Sequence, residues 1–135
     1  MKPGDIAALV AYRLEQADDS LRMGTLGIEK GLYKDAINRF YYAMFYATQA
    51  LLVPKGKGSS KLQGVIELFD LEFIRTGELS KEMSKSLHDS FERRMNVDYK
   101  EFVKVSLSDA ESMQARAEKF LEQAKAALAD LLNHP

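Results

Sequence analysis

Cysteine is absent from the 135 residues, which excludes a disulfide framework, a thiolate metal site and a cysteine nucleophile. Proline is scarce: Pro3, Pro54 and Pro135 leave long stretches without a helix breaker. Long hydrophobic runs are missing too. The longest uncharged apolar stretch, Phe40 to Val53, falls short of the roughly 20 residues a membrane span needs, so no membrane partner is expected. Behind Met1-Lys2-Pro3-Gly4-Asp5 lies only a brief apolar run, interrupted by Arg13 and Glu15, which is not a signal-peptide pattern; a cytoplasmic location is the expectation. Nor is there an excess of one charge, since 19 basic and 20 acidic residues leave a net charge of −1. Bulk attraction to nucleic acid is therefore absent, and any RNA contact must be local.

What is present is the balance of one soluble domain over residues 1–135, with 46% apolar and 29% charged residues. Helical spacing recurs throughout and the period of a strand does not. A first helix starts after Asp5, the expected N-cap, with Ile6, Leu9, Val10, Leu14, Ala17 and Leu21 on its apolar side. Gly24 and Gly27 weaken it beyond Met23, although Leu26 and Ile28 extend the pattern towards Gly31. A second runs from about Lys34 to Val53 and stops at Pro54 and Gly56. It is apolar almost all round, which predicts a central helix or a seam between two subunits.

A third helix, from Ser59 or Ser60 to Gly77, carries Leu62, Val65, Ile66, Phe69 and Phe73. A fourth, capped by Ser80, repeats Met83, Leu87, Phe91 and Met95 at i+4 spacing. A fifth opens on Ser108-Asp109-Ala110-Glu111, read as a capping box, and continues as a stripe from Ala110 to Leu131. Short connections favour antiparallel neighbours. The expected fold is all-α, an antiparallel up-and-down bundle of about five helices.

The segment Arg93-Arg94-Met95-Asn96-Val97-Asp98-Tyr99 stands out because Arg94 and Asp98 both fall within the apolar stripe of helix four, while Arg93 points away. A charged pair on a core face either pairs structurally or lines a cleft. The loop Lys55-Gly56-Lys57-Gly58-Ser59-Ser60-Lys61 fails the Walker spacing and follows a helix, so its lysines are surface groups able to touch a phosphate backbone or nothing at all. His88 and Glu92 share metal-ligand spacing but lack companions, and Ser84, Ser86 and Ser90 have no histidine that sequence places beside them. Neither a metal nor another cofactor is expected. The tyrosines of helix two, in particular Tyr42 and Tyr46 with Phe45, read as core and dimer seam rather than as a base-stacking platform.

Two of these segments resemble the HEPN superfamily, especially its small stand-alone branch. Asp35-Ala36-Ile37-Asn38-Arg39-Phe40-Tyr41-Tyr42-Ala43-Met44-Phe45-Tyr46-Ala47 looks like that branch's aromatic second helix, and Arg94-Met95-Asn96-Val97-Asp98-Tyr99 is similar to its Arg-x-x-small-Asp-Tyr signature. The resemblance implies a bundle that dimerises and gathers the arginine motifs of two subunits around one cleft. It also implies RNA or a minimal nucleotidyltransferase as partner. Active members carry an arginine followed about four to six residues later by histidine and cut RNA without metal. Here Asp98 stands near the histidine's place, and no histidine follows Arg93 or Arg94 before His134.

Aspartate, with an unperturbed pKa near 4 against about 6.5 for histidine, is a poor proton shuttle at neutral pH. The preferred reading is thus a dimeric, RNA- or nucleotide-associated module of a toxin–antitoxin system without full ribonuclease activity. Arg93, Arg94, Asn96, Tyr99, Lys55, Lys57 and Lys61 are its expected RNA or partner contacts, and Tyr99 is the residue available for nucleotidyl transfer. One alternative is a metal-independent endoribonuclease toxin whose catalytic groups are Arg94 and Asp98. The other is a purely structural interaction bundle.

Overall fold

Five α-helices build the chain, with no strand among the described residues: α1 Pro3–Glu29, α2 Tyr33–Leu52, α3 Leu62–Phe69, α4 Lys81–Tyr99 and α5 Leu107–Asn133. The computed structural model describes residues 1–99 and 103–134, and of Asp98 and Tyr99 the backbone alone. Cross-contacts fix the helix directions. Gly24 meets Phe40 and Gly27 meets Ala36, so α1 and α2 are antiparallel. Ser90 reaches Met44 and Arg94 reaches Tyr41, which runs α4 against α2. Lys125 bonds Asp18 and Gln114 bonds Thr25, which runs α5 against α1. The bundle is therefore up-and-down, with α2 and α5 parallel and packed against each other.

Helix α2 is the centre. Ala36, Ile37, Phe40, Tyr41, Met44 and Leu51 are fully buried, and α1, α3, α4 and α5 all touch it. A helix apolar on nearly every side must be enclosed in this way, because each large apolar side chain removed from water stabilises the fold by about 1.5–3 kcal/mol. Enclosure is incomplete along one line. Asn38, Arg39, Tyr42, Tyr46 and Gln49 stay half-exposed between α1 and α4.

Several boundaries differ from the sequence expectation. Helix α1 begins with Pro3 in its first turn and Lys2 as cap, leaving Asp5 inside the first turn rather than at the cap. It also runs unbroken through Gly24 and Gly27. These glycines are packing positions, since a Cβ on Gly24 would clash with the edge of the Phe40 ring, 2.6 Å from Cδ1, and one on Gly27 would lie 3.3 Å from the Ala36 Cβ. After Phe69 the third helix widens into a π turn over Asp70–Ile74 before Gly77 ends it in the left-handed region at φ 78°. Helix α5 starts earlier than expected. Its box is Ser106 with Asp109, not Ser108 with Glu111: the Asp109 amide donates to Ser106 Oγ at 3.1 Å and the Ser106 amide donates to Asp109 Oδ2 at 3.0 Å.

If the close α1–α2 approach holds the bundle, Gly24→Val will lower unfolding stability by about 1–3 kcal/mol through overpacking against Phe40. Gly4→Ala, where a Cβ meets nothing within 4 Å, will cost nothing. Urea denaturation of both variants reads the contrast.

Candidate nucleic-acid interface

The core-facing line of α4 is Met83, Leu87, Ser90, Arg94 and Val97, not the i+4 series through Phe91 and Met95. At 3.6 residues per turn each i+4 step drifts by about 40°, and three steps carry Met95 off the core, where it is 38% exposed. Arg94 thus occupies a position that an apolar side chain fills elsewhere on the helix. Its guanidinium lies 5.6 Å from the Tyr41 ring centroid and 5.2 Å from that of Tyr42. A second guanidinium, from Arg39 one turn before Tyr42, lies 5.6 Å from the same Tyr42 ring. Each such contact contributes about 0.5–2 kcal/mol, more as water is excluded.

The arginines rest on a continuous aromatic bed. Tyr42 packs edge-on against Tyr41 at 5.3 Å and against Phe45 at 6.0 Å, and lies 5.9 Å from Tyr46; Phe91 of α4 closes on Tyr41 at 6.0 Å. Tyr41 is the buried layer. Its hydroxyl has no hydrogen-bond partner among the described residues, and burial pushes the phenol far above its ordinary pKa of 10.0, opposed by Arg94 and reinforced by Tyr42. It stays neutral in the physiological range and is no general base. The surface presented by α2 is therefore cationic and aromatic, a combination that suits phosphate and base together.

The other expected contacts are dispersed. Arg93 points away from the α4 core line and ties Asp109 at 3.0 Å, so it anchors the start of α5. Asn96 is half-exposed near Arg94. The side chains of Asp98 and Tyr99 lie outside the described residues. Lys55 is drawn to Glu78 at 2.8 Å and over the Phe73 ring at 5.2 Å, holding the turn after α2 to the connection before α4. Lys57 and Lys61 are exposed in the same loop, roughly 20 Å along α2 from Tyr42. Phe45 is 7% exposed within its own chain, leaving Tyr42 and Tyr46 as the open part of the expected seam. Arg39 escaped the sequence reading. Its signal was the i, i+3 spacing to Tyr42, which puts the two side chains on one face.

A family model of the HEPN domain matches residues 10–127. The chain belongs to the HEPN family. A UPF0332 protein of Thermotoga maritima is 34% identical over 91% of this chain and 93% of its own length. A protein of Methanocaldococcus jannaschii, provisionally named a toxin, is 33% identical over 95% of both chains. A second protein of that organism, named in the same way, is 31% identical over 83% of this chain and 76% of its own.

Against the Arg…His pattern of active HEPN ribonucleases, the histidine within α4 sits on the wrong side. His88 precedes Arg94 and turns to the π turn, where its Nε2 lies 2.6 Å from Asp70 Oδ2; Ser84 donates to the other oxygen of Asp70, also at 2.6 Å. Both groups converge on Asp70, so serine and histidine do not form a nucleophile–base pair. No helix of the described residues is long and apolar enough to cross a membrane.

The junction that carries the motif has its own pH signature. Asp109 is held below its ordinary pKa of 3.8, first by the Ser106 amide, then by the Ser106 hydroxyl, with the Arg93 guanidinium adding to both. A carboxyl depressed by folding contributes stability that is complete above the ordinary value and lost as pH falls through the lower folded value. Ser106→Ala will cost about 0.5–2 kcal/mol at neutral pH. Asp109→Asn will remove the share of the acid-side stability loss that belongs to this carboxyl, as read by thermal unfolding between neutral pH and the acid limb.

Proposed function

We propose that this HEPN protein acts as a homodimeric RNA-binding module of the toxin type, with little or no ribonuclease activity of its own. The observation that carries the reading is Arg94, set in the buried line of α4 with its guanidinium over Tyr42 and Arg39 on the same ring. A guanidinium is always charged and presents a planar fork of donors that matches a phosphate, and the tyrosine rings beneath it hold it in place beside the seam. Among the described residues the site has no free proton carrier. No histidine follows Arg94 before His134, His88 is engaged by Asp70, and Tyr41 is held neutral. Binding survives without such a group, and cleavage through the 2′-hydroxyl does not.

The toxin type comes from the names of the two methanogen relatives, and the dimer from the half-exposed Tyr42–Tyr46 line of α2. A minimal nucleotidyltransferase is the partner protein we assign, with Tyr99 as the acceptor. Fluorescence anisotropy with a labelled single-stranded RNA tests the RNA reading. Binding should weaken tenfold or more in Arg94→Ala, with the melting temperature kept and the RNA intact in the absence of metal. RNA cut by the parent protein points instead to the ribonuclease alternative, and equal binding by Arg94→Ala leaves the bundle structural only. Light scattering should show a dimer for the parent and a monomer for Tyr46→Glu, which puts a charge into the seam.

A further inference from the structure

The loop after α2 was the one conspicuous motif that the RNA face does not absorb. In the fold it closes over a pocket of about 210 Å³, where it meets α1 and the last turns of α2. Arg13 of α1, Gln49 of α2, and Lys57, Gly58 and Ser59 of the loop supply its polar walls, and none of the residues lining it is acidic. Leu9, Leu52 and Val65 form its apolar floor.

Each polar group has capacity left. Arg13 gives one donor to Gln16 at 2.9 Å, and a guanidinium carries five. Ser59 Oγ accepts from the Lys61 amide at 3.2 Å, so its own proton remains to donate. Gly64 makes the arrangement possible, because a Cβ there would overlap Ser59 Oγ and lie 2.9 Å from Ser59 Cβ. Next to the pocket, and sharing Leu9, Val53 and Lys57 with it, runs a groove of about 460 Å³ floored by Ile6 and Pro54.

We infer that the Arg13–Lys57–Ser59 pocket is a binding site for a phosphate monoester. Two residues that carry cations and one that carries a hydroxyl line a space with room for a phosphate group, beside a groove with apolar walls. The site stands at the far end of α2 from Arg94 and does not depend on the RNA face.

Isothermal titration of the full chain with inorganic phosphate, and separately with adenosine monophosphate, tests it. One ligand per chain is expected. Affinity should fall tenfold or more in Lys57→Ala and in Gly58→Asp. It should be unchanged in Arg94→Ala, which alters the other end of α2. Tighter binding of adenosine monophosphate than of phosphate identifies a nucleotide source whose base enters the groove; equal affinities leave the phosphate head as the recognised part. No binding of either ligand at millimolar concentration overturns the inference. So does binding that persists in both Lys57→Ala and Gly58→Asp, or that is lost in Arg94→Ala alone.

Discussion

Where α1 crosses α2, the missing side chain of Gly24 admits the ring of Phe40, and the missing side chain of Gly27 admits Ala36. This close approach lets α1 cover α2 without spacing it away from the other helices, and it closes one side of a helix that has few polar positions of its own. With α3, α4 and α5 on the remaining sides, α2 becomes the axis of the bundle. The only line left half-open is the one between α1 and α4, and Arg39, Tyr42, Tyr46 and Gln49 stand on it. The position of the proposed RNA face thus follows from how the core is enclosed.

Arg94 is the second consequence. A cation at a core position of α4 is expensive unless its surroundings offset the loss of water. Two tyrosine rings at 5.2 and 5.6 Å do part of that, and they also fix the guanidinium at the surface edge of the aromatic bed. Fixing it in advance reduces the ordering cost of meeting a phosphate. Arg93, one residue earlier, turns the other way and engages Asp109, so the two arginines serve different faces of α4.

Much of this was legible in the residues. The all-helical bundle, the central place of the second helix, the caps at Ser80 and Gly77 and the orientation of Arg93 against Arg94 follow from periodicity and turn chemistry. The failures share a physical origin. Glycine reads as a helix breaker in one dimension, whereas at Gly24 and Gly27 it is required by a neighbour distant in sequence. The apolar stripe of α4, drawn from Met83 round to Met95, was too wide, because the core takes in Ser90 and Val97 and leaves Met95 outside. Ser106 outcompeted Ser108 as cap because Asp109, three residues on, returns the hydrogen bond. For the candidate site, sequence found Arg94 through its conflict with the apolar stripe. It grouped Lys55 with Lys57, whereas folding ties the first to Glu78 and leaves the second beside Arg13.

On the proposed RNA face, Arg94 and Tyr42 act as one unit. A double-mutant cycle on RNA affinity, using Arg94→Ala, Tyr42→Leu and the combination, tests it most directly. The unit predicts a coupling of about 0.5–2 kcal/mol, with the double variant binding hardly worse than Arg94→Ala alone. Losses that add to within about 0.3 kcal/mol would contradict it, because two residues that share no interaction contribute independently.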